Sequence, residues 1–129
     1  MKRMRLFLLI PLISSILSAE TNPYNKVYDD CLHEQGQINN TVVAICSETA
    51  SAYAKKEMNR LYDIVYKNIS EHSNDDAKEF ENAQKAWLRY RNAHCKLMGA
   101  YVGSPMYHHC PMELNIQRVL ELAIMANEQ

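Results

Sequence analysis

Glycine is nearly missing from this chain: three residues in 129, none within two positions of another. Without a glycine-rich turn, no loop can wrap backbone N–H groups around a phosphate, and there is no Gly-x-Ser-x-Gly nucleophile elbow. Alternation of β-branched residues is also absent, so half-buried strands have no basis in the pattern. Basic excess is lacking, with 14 Lys and Arg against 15 Asp and Glu, which argues against a nucleic-acid partner. The longest apolar run, Leu6 to Ile16, falls well short of the ~20 residues that a bilayer-spanning helix needs.

What is present is helix-forming. Ala, Glu, Lys, Leu, Met and Gln dominate the long stretches between a few polar breaks, and the expected fold class is all-α, with about four helices. A first helix is predicted over about Tyr24 to Gln35, between Pro23 and Gly36, the usual placing of these residues at a helix start and end. Gly36 to Asn40 reads as a connector. Thr41 is the predicted N-cap of a long second helix reaching about His72. On its inward face Val43, Ser47, Ala50, Ala54, Met58, Leu61, Tyr62, Val65 and Ile69 recur at helical spacing. The first half of that face is small, suited to a close-packed neighbour or to a large side chain such as Trp87.

Ser73 to Asp76 forms a polar break before a third helix, predicted over about Asp76 to Val102 and stopped by Gly103-Ser104-Pro105. Met106-Tyr107-His108-His109-Cys110 then reads as a loop. Pro111 suits the first position of a last helix running to about Ala126. That helix is apolar on nearly all sides, so it is either central or part of an interface, such as one between two copies of the chain.

The N-terminus, MKRMRLFLLIPLISSILSAE, has a basic start, an apolar run and a small-residue end, which is the layout of a secretory signal peptide. Residues 1–19 are the expected signal, and 20–129 a single domain of roughly 110 residues in the periplasm or secreted, with no stable membrane span after cleavage. Loss of Lys2, Arg3 and Arg5 leaves 11 basic against 15 acidic side chains, a net charge of about −4. All four cysteines, Cys31, Cys46, Cys95 and Cys110, fall in this domain, and an even number in a small exported chain implies two disulfides. Of three connectivities, Cys31 with Cys46 and Cys95 with Cys110 is favoured, because each pair flanks one turn-rich break at the same spacing.

The third helix raises the main chemical question. Gln84, Trp87, Leu88, Arg91 and Cys95 share a stripe roughly 100° wide, so an amide and a guanidinium sit on a face built for burial. The expected reason is a polar staple: Trp87 as the core anchor, with Gln84 and Arg91 bonding loop carbonyls or a carboxylate of another helix, Glu48, Glu57 and Glu121 being the candidates. Asn59 and Arg118 are expected to act in the same way. His94, His108 and His109 lie beside cysteines, but oxidised sulfurs do not ligate and the spacing fits no zinc pattern, so no metal or other cofactor is expected. No nucleophile or paired-carboxylate signature points to an enzyme.

These segments together resemble the lysozyme inhibitor LprI family. The family's Leu-Asn-x-x-Tyr element falls on Met58-Asn59 with Tyr62. Its Ala-Gln-x-x-Trp-x-x-Tyr-Arg-Asp-x-x-Cys element falls on Ala83-Gln84, Trp87, Tyr90-Arg91 and Cys95. Its last Cys followed by Thr-x-x-Arg-x-x-x-Leu falls on Cys110, Arg118 and Leu122. Met58, Asn92 and Asn115 stand where the family prefers Leu, Asp and Thr, and the change at Asn92 removes a charge beside Arg91. The resemblance implies a binding protein that inhibits lysozyme or another peptidoglycan hydrolase. The main alternatives are an envelope interaction protein that leaves lysozyme untouched and, further off, a metal-binding envelope protein. Met106, Tyr107, His108 and His109 form the candidate partner-binding loop, with ring donors able to face the two carboxylates a glycosidase needs.

Overall fold

The computed structural model describes residues 22–128, so the expected signal segment lies outside the described residues. Four helices and no strands make up the described chain: α1 Pro23–Gln35, α2 Asn40–Ser70, α3 Asn74–Tyr101 and α4 Met106–Met125. None is long and apolar enough to cross a membrane.

Local chemistry sets most of the boundaries. Asn22 accepts from the Tyr24 N–H at 2.9 Å and Pro23 opens α1. Gly36 closes it with φ 69°, a left-handed conformation that a residue without Cβ adopts at no steric cost. At α2 the cap is Asn39, whose side chain accepts from Val42 N–H at 3.0 Å, and the expected cap Thr41 lies inside the helix instead. The reason is placement: Asn39 is extended, with its amide oxygen turned onto the freed donor of the first turn. Ser73 caps α3, and Asp75 and Asp76 in its first turn complement the positive end of the helix dipole.

The start of α4 differs most from expectation. Met106 to Cys110 is helical rather than a loop, and Pro111 stands inside the helix. Gly103-Ser104-Pro105 winds the entry: Met106 N–H donates to Gly103 O, Tyr107 N–H to Ser104 O, and His109 N–H to Pro105 O at 3.0 Å. Pro105 supplies φ −57° at the entry, so it already plays the part assigned to Pro111. Pro111 costs the helix the one bond its missing N–H would have made. Contacts with α3 hold the turn in place through the Cys95–Cys110 disulfide and through the Tyr107 ring, which lies directly over Gly99 where a Cβ would stand.

The core forms where α4 and α2 pack along their lengths, with α3 and α1 added at the flanks. Cys46, Ser47, Ala50 and Ala54 are fully buried on α2, so the small half of that helix admits α4 closely. Met58, Leu61, Val65, Phe80, Met112, Ile116, Val119 and Leu122 complete the core. Helix α1 joins through Tyr24 and the Cys31–Cys46 disulfide. Both disulfides pair as expected, each closing a separation of 15 residues.

Candidate functional site

The α3 stripe resolves into a network that reaches three helices. Arg91 Nη1 donates to Asn115 Oδ1 at 2.7 Å, and Asn115 Nδ2 donates to Ser51 Oγ at 2.8 Å. Asn115 and Ser51 are both buried, so a line of hydrogen bonds runs from α3 through α4 to α2. Two turns earlier on α3, Gln84 Oε1 accepts from Arg118 Nε at 3.0 Å, while Gln84 Nε2 faces Met58 Sδ at 3.5 Å. The guanidinium carbons of Arg91 and Arg118 lie 5.4 and 5.7 Å from the Trp87 ring centroid, close enough for cation–π attraction.

The structure brings Gln84, Trp87, Arg91 and Arg118 together, with partners other than those expected for Arg91. Among the described residues Arg91 bonds no carboxylate: its partners are the amides of Asn115 and Asn92, the latter through Nε at 3.1 Å and Nη2 at 2.8 Å. Of the three candidate acids, Glu121 meets the cluster through Arg118, on its own helix rather than another, while Glu57 pairs with Arg60 and Glu48 with His108. An amide competes well at this site because it accepts from Arg91 and donates to Ser51 at once, leaving no buried polar atom of its own unpaired, whereas a carboxylate only accepts. Trp87 is half-buried at the edge of the core rather than its centre, since a face shared with two guanidinium groups must stay near solvent. Asn59 and Tyr90 are exposed and stand outside the network, Tyr90 stacking on His94 at 5.3 Å. Tyr62 stacks on Phe80 at 5.1 Å. Burial pushes the Arg91 guanidinium pKa down.

The first turn of α4 forms the other candidate surface. His108 Nδ1 lies 2.9 Å from Glu48 of α2, and His109 Nε2 lies 3.2 Å from Glu113 one turn along. The His109 ring packs against Tyr28 of α1, 5.2 Å between centroids. Asn40 Nδ2 donates to Ser104 Oγ at 3.3 Å, which brings the α1–α2 turn beside the α3–α4 turn. At this disulfide-held end, Ile38, Tyr101 and Val102 remain 72, 85 and 67% exposed. Among the described residues, no three His, Cys, Asp or Glu side chains come together as a metal-ligand group.

Two contributors were not expected from the sequence as partners in this network. Ser51 looked like one more small residue on α2, and nothing marked it. Asn115 carried a signal, a polar side chain between Met112, Ile116 and Val119 on an otherwise apolar face.

Two disulfides, with the Gln84, Trp87, Arg91 and Arg118 cluster at the α3–α4 contact, define a small disulfide-held helical bundle. The family model of lysozyme inhibitor LprI matches residues 31–122, and the chain belongs to that family. No curated protein and no solved structure gives a significant match.

Proposed function

We propose that this protein is an exported inhibitor of a peptidoglycan hydrolase such as lysozyme, which works by occupying the enzyme's cleft. The observation that carries the reading is the family match across 92 residues, from Cys31 to Leu122. Three features support it. The two disulfides suit an oxidising compartment, the periplasm or the cell exterior. Acidic side chains outnumber basic ones, which favours encounter with a basic enzyme. At the disulfide-held end, exposed Tyr101, Val102, Ile38 and Tyr107 adjoin His108 and His109, a mixture of aromatic, apolar and ring-donor groups suited to an interface core.

In this reading the first turn of α4 and the C-terminal turn of α3 enter the cleft together. Burial of Tyr101 and Tyr107 excludes substrate, and the imidazoles approach the catalytic carboxylates. A helical turn is a better support than a free loop, because its backbone is already ordered and loses less entropy on binding. The test is turbidity clearing of cell walls by lysozyme with the oxidised protein added. Clearing is expected to slow in proportion to inhibitor. Unchanged clearing at a large molar excess would remove the reading.

A further inference from the structure

A second site lies on the side of the bundle, in a groove of about 310 Å³ between α2 and α3. Lys55, Asn59 and Tyr62 line it from α2, and Gln84, Leu88 and Arg91 from α3, with Met58 at its base. No Asp or Glu is among the lining residues, although acids outnumber bases in the chain. Charges of one sign have thus been gathered where the opposite sign prevails elsewhere.

Both cations are available. Neither Lys55 nor Arg91 forms an ion pair among the described residues; Glu81, whose charge acts on Tyr62, is engaged with Lys85 at 2.7 Å. Arg91 spends three of its five N–H groups on Asn92 and Asn115. Its charge is partly desolvated, with burial the cause that moves its pKa. A guanidinium held among neutral amides lacks the acid that ordinarily compensates a half-buried cation. Gln84 Nε2 is similarly underused, since its contact is a thioether, a weak acceptor, at 3.5 Å. Asn59 offers a further exposed amide. Between these donors, Met58 and Tyr62 of α2 and Leu88 of α3 supply apolar surface to the same groove.

The geometry points to a binding site for a small organic carboxylate with a short apolar body, of the kind found at the C-terminal end of a peptide. Arg91 and Lys55 take the carboxylate, Gln84 and Asn59 bond its neighbouring amide, and Leu88 with Met58 receives the side chain. The groove is at the small end of ligand pockets, which run from roughly 300 to 1,000 Å³, so the ligand is of amino-acid to dipeptide size. This inference goes beyond hydrolase inhibition and stands apart from the α4 turn.

The test titrates N-acetyl-Ala-Ala into the full oxidised, isotope-labelled protein and follows the side-chain N–H signals of Asn59, Gln84 and Arg91 by NMR. Saturable shifts of these signals are expected, with little response to N-acetyl-Ala-Ala-amide, which lacks the charge. Asn59→Asp keeps the size and exposed position of the residue while placing a negative charge in the groove; it should weaken binding at least about tenfold, one factor of ten being about 1.4 kcal/mol. Lys55→Met should weaken it several-fold with Tm and lysozyme inhibition unchanged. Four results would overturn the assignment: no saturation, an equal response to the amide, shifts confined to another surface, or equal binding of inorganic phosphate, which has no apolar body.

Discussion

Arg91 shows how much one side chain can carry. Its bond to Asn115 joins a charged donor to a buried acceptor, the class worth about 1.5–3 kcal/mol. Replacing Arg91 by Met leaves Asn115 Oδ1 in the interior without its donor, at a cost of about 1–3 kcal/mol. Tm is expected to fall by on the order of 5–15 °C, measured by thermal melting of the oxidised protein; an unchanged Tm would show that the staple is not needed. Asn92→Asp puts a carboxylate against Arg91 Nε and Nη2, where the family pattern has one, and is expected to leave the fold intact while weakening the side groove's hold on anions. The Gln84 and Arg91 staple was legible in the sequence, since polar groups on a buried stripe must find partners. Their partners were not, because Asn115 and Ser51 lie 24 and 64 positions from the residues they meet and no local pattern links them.

At the scale of elements, the contact between α3 and the first turn of α4 depends on Gly99. A Cβ there would overlap the Tyr107 ring, so Gly99→Ala must push the ring outward or part the helices, a cost of about 1–3 kcal/mol of the kind seen on overpacking. Tyr107→Ala should relieve the strain, and the double variant is expected to be less destabilised than the sum of the single ones. Removing both imidazoles by His108→Ala and His109→Ala is expected to weaken lysozyme inhibition while the helical circular-dichroism signal is kept. Undiminished inhibition by the folded variant would move the contact surface elsewhere on the bundle. Helix number and most ends were readable from capping residues, Gly36 and Pro23 among them. The start of α4 was not, because Pro105 and Pro111 are both acceptable openings, and the choice was made by packing against Gly99 and by the Cys110 sulfur.

For the molecule as a whole, two kinds of tie close the bundle. Each disulfide spans a separation of 15 residues and contributes about 3 kcal/mol in the chain-entropy model, so reduction is expected to lower Tm sharply. At the other end, Arg60 of α2 bonds both Glu57 and Glu128, the latter beyond the end of α4. Hydrogen bonding to Arg60 holds both carboxyl groups below their ordinary value of 4.5. A depressed folded-state pKa means that this stabilisation is complete above the ordinary carboxylate range and is lost as pH falls through the lower folded-state values. Tm is therefore expected to be steady from neutral pH to about 5 and to drop in more acid solution, and Glu128→Gln should flatten part of that drop. All three side chains are at least partly exposed, so added salt should shrink the effect.

The sequence by itself determined the helical class and the presence of polar groups on the α3 stripe, and favoured the observed cysteine pairing over two others, because periodicity, capping and the spacing of cysteines are local properties that act before distant residues meet. Only the tertiary structure decided that an amide rather than an acid receives Arg91, that α4 begins five residues before Pro111, and that Lys55 and Arg91 face one groove without a compensating acid. These outcomes depend on which side chains three separate helices bring within a few ångströms of one another, and no local pattern in the sequence fixes that distance.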